Sequence, residues 1–278
     1  MQILVVGATG VLGRQVCPRL VERGHTVRAV ARRPEAAHGL AAAGVEVVAG
    51  DILEAESLYA AARGCDAALH LATAIPKAGG DWTRNDRIRR EGTRNLLAAA
   101  EAQGVRRYVQ QSIVMLYGDT GQAIVDESAP LQASAVIQSA ADMEQMVQAS
   151  ALDWCILRGG LFYGAGAGLE EEWRQAVQAG DLLPGDGSDL ISLIHVVDMA
   201  RAVAPAVEGA PPHSIYNVVD DEPARYADLF AYVAAQLGVE APRAGGPRRR
   251  ASFGCSNARI KRELGWEPAY PSYRSGLA

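Results

Sequence analysis

A glycine-rich segment at the start of the chain limits the available folds more than any other feature. It follows the short apolar run Gln2–Val6 and precedes Val11–Arg23, whose apolar residues recur at helical spacing. A strand, a glycine turn and a helix in this order predict the phosphate-binding turn of a βαβ unit. The amide groups at the start of the helix favour an anion there. The sequence therefore predicts a dinucleotide site that includes Gly7, Thr9, Gly10, Val11, Leu12 and Gly13.

Strand-like and helix-like segments continue to alternate as far as Leu157, and this regularity weakens after Arg158. The convincing helical segments include Arg87–Gln103 and Ser134–Ala149. Alternation of this kind implies right-handed crossovers and a parallel sheet covered on both faces. We therefore expect an α/β fold with a Rossmann-type doubly wound parallel sheet. Residues 1–157 are predicted to form the dinucleotide-binding domain, and residues 158–278 a smaller substrate lobe interleaved with late sheet strands.

The end of the second predicted strand distinguishes between the two nicotinamide cofactors. Proteins that bind NAD usually have an acid there, which accepts a hydrogen bond from the ribose 2′-hydroxyl. This chain has Arg32 and Arg33 instead, and its next acid is Glu35. Guanidinium groups form charge-assisted hydrogen bonds with a 2′-phosphate, whereas a carboxylate repels it. The sequence thus predicts NADP(H), with NAD(H) as the weaker alternative, although two solvated surface arginines would give the same pattern.

Composition narrows the remaining function classes. The net charge of −5 creates no field that would gather nucleic acid or an anionic membrane surface. The four cysteines lie far apart, with no metal-ligand spacing, and no apolar stretch approaches the roughly 18 residues of a membrane span. We expect a cytoplasmic protein with a small-molecule substrate and without a metal, a nucleic-acid partner or a membrane anchor.

Several further motifs occur in an order that resembles the extended short-chain dehydrogenase/reductase family, in its epimerase/dehydratase branch. They are AGD at Ala49–Asp51, HLAT at His70–Thr73, EGTRNLLAAAEAQGVRRYV at Glu91–Val109, LYG at Leu116–Gly118, LRGGLFYG at Leu157–Gly164, IHVVDMA at Ile194–Ala200 and ARIKRELGWEP at Ala258–Pro268. The resemblance implies that Asp51 holds the adenine, with Ile52 beside it, and that Leu71, Ala72 and Thr73 belong to the adenosine side of the cofactor site. A four-helix dimer contact is common in this family, and the sequence leaves open whether the helices Arg87–Gln103 and Ser134–Ala149 form a homodimer in this way.

The residues that this family uses for proton transfer are absent. The resemblance places its Ser/Thr at Ile113, its Tyr at Val136, its Lys at Ala140 and its supporting Asn at Arg89. A shift of register cannot restore the Tyr–Lys pair, because the two lysines of the chain, Lys77 and Lys261, have no tyrosine four residues before them. The standard acid–base mechanism of the family is therefore excluded on sequence.

Three functional hypotheses are compatible with an intact cofactor half and a lost proton donor. The first is an atypical NADP(H)-dependent reductase or dehydrogenase that acts on a small, fairly apolar carbonyl compound, with Ser112, Tyr117 or Tyr163 as substitute catalytic residues. The second is a non-redox cyclase, isomerase or lyase that uses the pocket for positioning. The third is a catalytically silent NADP(H) sensor or scaffold. Loss of the acid makes the pocket wall apolar, which suits a hydrophobic ligand or a reaction that needs no proton donor.

Overall fold

The structure is a computed structural model and describes residues 1–76, 80–164, 166–248 and 251–277. Lys77 therefore lies outside the described residues. The strands are β1 (Gln2–Val6), β2 (Thr26–Ala31), β3 (Glu46–Ala49), β4 (Ala67–His70), β5 (Arg107–Ile113), β6 (Ile124–Val125), β7 (Asp153–Gly159), β8 (Leu161–Tyr163), β9 (Leu183–Pro184), β10 (Leu190–Ile191), β11 (Leu193–His195), β12 (Ser214–Val218), β13 (Ala224–Arg225), β14 (Ala244–Gly246) and β15 (Gly254–Cys255).

The α-helices are α1 (Gly13–Glu22), α2 (His38–Ala42), α3 (Ala55–Ala62), α4 (Thr83–Arg87), α5 (Thr93–Ala102), α6 (Gln138–Gln148), α7 (Leu169–Gln178), α8 (Val196–Gly209), α9 (Tyr226–Leu237), α10 (Ala258–Leu264) and α11 (Tyr273–Gly276). Short 3₁₀ turns precede some of them, such as Ala135–Ile137 before α6. No helix within the described ranges is long and apolar enough to cross a membrane.

A seven-stranded sheet with the order β12-β7-β5-β4-β1-β2-β3 confirms the predicted fold class. Strand β1 pairs in parallel with β2 on one side and with β4 on the other. Strands β2 and β3 thus lie on one side of β1, and the chain then crosses to the other side of β1 to form β4 and β5. In doubly wound sheets a crevice opens at this crossing, outside the carboxyl ends of the strands, and dinucleotides bind across it.

The chain divides into two compact units. Unit 1 comprises Met1–Ser112, Ser134–Leu157 and Ala200–Ile215, and unit 2 comprises Ile113–Ala133, Arg158–Met199 and Tyr216–Ala278. The core of unit 1 is mostly aliphatic and includes Leu4, Leu58, Leu96, Tyr108 and Ile156. The core of unit 2 is richer in aromatic side chains and includes Tyr117, Tyr163, Trp173, Phe230 and Phe253.

Helix α1 shows how the sequence pattern produces the fold around the glycine turn. Leu12, Val16 and Leu20 recur every four residues and are buried, so one face of the helix packs into the protein. Arg19 lies in the last turn, where a cation interacts favourably with the helix dipole. The start of the helix is consequently held at the carboxyl end of β1.

The helix predicted at Arg87–Gln103 is interrupted, and its first part differs from the expectation. Helix α4 ends at Arg87, a π-helical turn occupies Ile88–Gly92, and α5 begins at Thr93. Glycine has a low helix propensity. Gly92 also lies so close to Ile52 that a Cβ atom would come within 2.9 Å of Ile52 Cγ1. Gly92 therefore suits the end of an irregular turn that packs against Ile52, and the spacing of apolar residues does not reveal this turn.

Candidate functional site

The glycine turn in unit 1 has the geometry that its sequence predicts. Gly7 adopts a φ of +95°, in the region that favours glycine, and a Cβ atom on it would lie 2.4 Å from the backbone nitrogen of Ala72. A Cβ atom on Gly13 would lie 2.3 Å from the carbonyl oxygen of Gly7. These two glycines therefore allow the turn to pack against the end of β4 and against the start of α1.

Gly10 has a different environment, because the space beside it is open. The closest atom to a Cβ on Gly10 would be the carbonyl oxygen of Gly7, at 3.2 Å. Thr9, Gly10 and Val11 are exposed, and Leu12, at the start of α1, provides no side-chain cap for the helix amides. No acid lies in the first turn of α1. The turn therefore leaves an accessible, positively polarised helix start that fits the diphosphate of a dinucleotide.

Arg32 and Arg33 follow β2 directly, at the same edge of the sheet. Both are exposed, and within the described ranges neither forms a hydrogen bond or an ion pair with another side chain. The 3₁₀ turn Pro34–Ala37 begins immediately after them. Two guanidinium groups without partners beside the predicted adenosine site are suited to bind a phosphate on the ribose.

The residues after β3 and β4 complete the predicted adenosine side. Asp51 is half-buried, and its Oδ1 atom accepts a hydrogen bond from the backbone nitrogen of Leu53 at 3.0 Å. Ile52 is buried, and its carbonyl oxygen accepts from Asn95 Nδ2 at 3.0 Å. These bonds fix the loop that follows β3 and leave the second carboxylate oxygen of Asp51 available to a ligand.

The segment Leu71–Thr73 leaves the end of β4 next to the glycine turn. Leu71 is buried and donates its backbone N–H to the carbonyl oxygen of Val6 at 2.8 Å, whereas Thr73 is exposed. Asn85 Oδ1 accepts a hydrogen bond from the backbone nitrogen of Ala74 at 2.9 Å and so anchors this loop. The predicted cofactor residues of unit 1 therefore lie on the loops after the first four strands.

Two of the positions that the resemblance assigns to the proton-transfer residues also belong to unit 1. Val136 lies in the short turn before α6 and is 57% exposed, whereas Ala140 in α6 is completely buried. Neither side chain can donate a proton. Ile113, at the Ser/Thr position, is the half-buried last residue of β5.

The hydroxyl group of Ser112, the first predicted substitute, already forms a hydrogen bond inside the protein. It is 2% exposed, and its Oγ atom donates to Glu144 Oε1 at 2.5 Å. Glu144 is itself completely buried in α6. The serine therefore joins the end of β5 to α6 and binds a buried carboxylate. No sequence pattern assigns this partner to it.

Tyr117, in unit 2, belongs to a buried polar network. Its hydroxyl group accepts a hydrogen bond from Arg158 at 2.8 Å and donates to Asn217 Oδ1 at 2.8 Å. The Arg158 guanidinium carbon also lies 5.1 Å from the centre of the tyrosine ring. Burial raises the pKa of Tyr117 to about 12, although Arg158 acts in the opposite direction. At neutral pH the tyrosine is protonated and donates to an internal acceptor.

Tyr163, also in unit 2, is completely buried and donates to Asp220 Oδ2 at 2.9 Å. Burial raises its pKa, and the negative charge of Asp220 acts in the same direction. Burial raises the pKa of Asp220 to about 7, while the hydrogen bond from Tyr163 opposes the shift. The ring of His195 lies edge-on to Tyr163, with 5.2 Å between the ring centres. All three substitute residues thus direct their hydroxyl protons to internal acceptors.

Arg89, which stands at the position of the supporting asparagine, is a residue whose environment the sequence did not define. It lies in the π-helical turn of unit 1 and is only 4% exposed. Arginine side chains in helices are usually exposed to solvent. The sequence around Arg89, with Ile88 before it and Arg90 after it, does not show that this arginine is buried. Only the irregular turn places it inside the protein.

Comparison with known proteins agrees with this geometry. A family model described as NAD(P)H-binding matches residues 7–206. The chain is 34% identical over 310 residues to the 3-diazoavenalumate denitrifying reductase of a Streptomyces species, covering 100% of this chain and 99% of that protein. It is 28% identical over 250 residues to the 4-hydroxy-2-methyl-3-oxo-4-farnesyl-3,4-dihydroquinoline-1-oxide ketoreductase of Stigmatella aurantiaca, covering 87% and 75% of the two chains.

Among solved structures, the chain is similar to the dTDP-glucose 4,6-dehydratase DesIV of Streptomyces venezuelae, whose crystal structure contains NAD and TYD. The TM-score is 0.85 at 25% identity, and the match covers 100% of this chain and 95% of that one. The predicted resemblance to the extended short-chain dehydrogenase/reductases is confirmed by this fold.

Proposed function

The chain belongs to the NAD(P)H-binding family, and on that basis we propose that it is an NADP(H)-dependent reductase whose hydride acceptor needs no proton from the protein. The observation that carries the proposal is the combination of a complete phosphate turn with apolar side chains at the proton-donor positions. Val136 and Ala140 replace an acid and a cation with groups that cannot take part in proton transfer. When bound, the reduced nicotinamide supplies a hydride.

The preference for NADP(H) rests on Arg32 and Arg33. Both guanidinium groups are exposed at the end of β2 and have no side-chain partner among the described residues. They would bind the 2′-phosphate without first breaking an internal ion pair. Asp51 on the next loop would contact the adenine, and the amides at the start of α1 would bind the diphosphate.

An aryl diazonium ion is the substrate class that fits an absent proton donor best. The hydride becomes bonded to the ring carbon, the carbon–nitrogen bond breaks, and dinitrogen leaves with the electron pair of that bond. The positive charge of the substrate is consumed and no proton is taken up, so atoms and charges balance without a general acid. The Streptomyces relative, which matches along almost its whole length, is named for the removal of nitrogen from a diazo compound.

Reduction of a small, fairly apolar carbonyl compound is the second candidate. It is favoured by the name of the Stigmatella relative, a ketoreductase. Addition of hydride to a carbonyl carbon produces an alkoxide that must be protonated, and a positioned acid typically accelerates such a step about 10²–10⁴-fold. In unit 1 the candidate hydroxyl, that of Ser112, already donates to Glu144. Carbonyl reduction would therefore depend on a proton from water.

The two candidates are separated by an isotope experiment with product analysis. The protein is incubated with 3-diazoavenalumate or a hydroxybenzenediazonium salt and with NADPH that carries deuterium at the transferable position. We expect dinitrogen release, one NADP⁺ per product and deuterium on the ring carbon, all above a control with heat-denatured protein. Oxidation of NADPH only with ketones would support the second candidate and contradict the first.

Two further outcomes would contradict a reductase altogether. Formation of product from other substrates with no change in the cofactor would indicate the non-redox cyclase, isomerase or lyase. Tight NADPH binding without turnover of any diazonium or carbonyl compound would indicate a sensor or scaffold.

A further inference from the structure

Arg89 occupies an unusual backbone position in unit 1. The five residues of the π-helical turn, Ile88–Gly92, separate α4 from α5. Such turns are rare and are frequently found at functional sites. In this turn Arg89 is 4% exposed, whereas the next residue, Arg90, has a side chain that is 40% exposed.

The guanidinium group of Arg89 has one hydrogen-bond partner among the described residues. Its NH1 atom donates a long hydrogen bond of 3.4 Å to Ser139 Oγ, which in turn donates to Asp86 Oδ1 at 2.7 Å. Among the described residues it forms no direct hydrogen bond to a carboxylate. An arginine carries five N–H donors, and the single bond to Ser139 leaves donors to which oxygen atoms of a ligand could bind.

The surroundings of Arg89 leave its charge available. Burial lowers the pKa of Arg89 to about 10, and Asp86 opposes the shift, so the group is still charged at neutral pH. Burial lowers the pKa of the nearby His70 to about 4, and the charge of Arg89 contributes to that shift. His70 is therefore neutral. Its two buried ring nitrogens have no side-chain hydrogen-bond partner among the described residues, and the backbone of Ile88 opposes the lowering of its pKa.

The sheet order places this arginine on one side of the cofactor crevice. β1 lies between β2 and β4, and the predicted adenosine residues follow β2 and β3. A dinucleotide that crosses the crevice has its other half over β4 and β5. The helical segment that contains Arg89 connects these two strands. Arg89 therefore belongs to the side of unit 1 that would face the nicotinamide half of the cofactor.

We propose that Arg89 is a positioning residue that binds phosphate and ribose oxygens of the nicotinamide half of NADP(H). This inference rests on the proposed function, which requires the cofactor. Arg32 and Arg33 follow β2, on one side of β1, whereas Arg89 would hold the nicotinamide half on the other side of β1, near β4. Ala140, next to Ser139 in α6, adds no charge that would compete with Arg89 for the ligand.

The test compares two ligands by equilibrium binding, without reference to turnover. NADPH contains both halves of the cofactor, whereas adenosine 2′,5′-bisphosphate contains only the adenosine half. For Arg89→Gln we expect NADPH binding to weaken about tenfold or more, because charge-assisted hydrogen bonds are lost, while binding of the bisphosphate changes less than about twofold. Arg90→Gln is the matched control: its guanidinium bonds Asp142 at 2.6 Å on the surface, and both affinities should remain those of the wild type.

The outcomes separate this inference from the proposed function. Wild-type NADPH affinity in Arg89→Gln, or an equal loss of both ligands, would overturn the role of Arg89 and leave the reductase proposal standing. Failure of the wild-type protein to bind either ligand would overturn both. If Arg89→Gln does not fold, Arg89→Lys provides the test, since it keeps the charge but loses the forked geometry. We then expect NADPH binding to weaken severalfold with unchanged bisphosphate binding, and wild-type NADPH affinity would contradict the proposal.

Discussion

Replacement of Arg32 and Arg33 by alanine should convert a preference for NADPH into indifference between NADPH and NADH. Both side chains are exposed and lack side-chain partners among the described residues, so their removal breaks no internal bond. Stability should consequently change by less than about 0.5 kcal/mol, as is usual for surface substitutions.

The magnitude follows from the number of bonds and from their exposure. A hydrogen bond to a charged group contributes about 1.5–3 kcal/mol, and solvent screening at an exposed site favours the lower end of that range. Since about 1.4 kcal/mol corresponds to a factor of ten, we expect each single variant to weaken NADPH binding about tenfold and the double variant about a hundredfold. NADH has no 2′-phosphate, so its affinity should stay within about twofold.

Titration followed by nicotinamide fluorescence measures both affinities directly. Arg106→Ala is the matched control, because it also removes one exposed positive charge: the Arg106 side chain is 87% exposed. Arg106 comes directly before β5 and therefore lies at the end of the strands opposite to the cofactor site. Higher salt should weaken NADPH binding more than NADH binding. A wild-type protein that prefers NADH, or a double variant that loses both cofactors equally, would refute the assignment of the arginines.

Three further substitutions test the glycine turn, the buried Ser112–Glu144 pair and Asp220. Gly10→Ala should weaken NADPH binding at least about tenfold with little change in melting temperature, because the added Cβ would occupy the open space at the start of α1. Gly39→Ala is the control: a Cβ there would have no atom within 4 Å, so NADPH binding should not change. Ser112→Ala should lower the free energy of unfolding by about 1–3 kcal/mol in urea and leave hydride transfer intact, and a complete loss of turnover in a folded variant would contradict this. Asp220 has a folded-state pKa of about 7, above its usual value of 3.8, so the folded protein binds more protons than the unfolded chain between these pH values. The contribution of Asp220 to stability should therefore fall as the pH rises from about 4 to 7, by at most about 1.4 kcal/mol per pH unit. Measured by thermal unfolding, the stability of Asp220→Asn should accordingly rise with pH relative to that of the wild type over this range.

The fold could be predicted from the sequence because its signals are local and agree with one another. Gly7 and Gly13 are required by contacts with the backbone, and the spacing of Leu12, Val16 and Leu20 determines which face of α1 is buried. These sequence signals lie close together near the start of the chain, although the contact that requires Gly7 is made with Ala72. Alternating strands and helices then predict a doubly wound parallel sheet, whereas the order of its seven strands comes from the structure.

The interior of the candidate site could not be predicted in the same way, because it depends on contacts between distant segments. Ser112 and Glu144 are joined by a hydrogen bond across 32 residues, and Arg89 meets Ser139 across 50. The burial of Arg89 also depends on a π-helical turn, and hydrophobic periodicity does not distinguish this turn from a regular helix. The sequence therefore identifies which residues are missing from the site more reliably than which residues replace them.

A solvent isotope effect on the hydride step tests most directly whether the protein transfers hydride without a proton donor. Single-turnover oxidation of bound NADPH by an aryl diazonium substrate is followed in H₂O and in D₂O. We expect a rate ratio of about 1 and retention of the transferred label on the ring carbon, since no exchangeable proton moves in that step. A ratio of about 2 or more, or a product whose new hydrogen comes from the solvent, would contradict it.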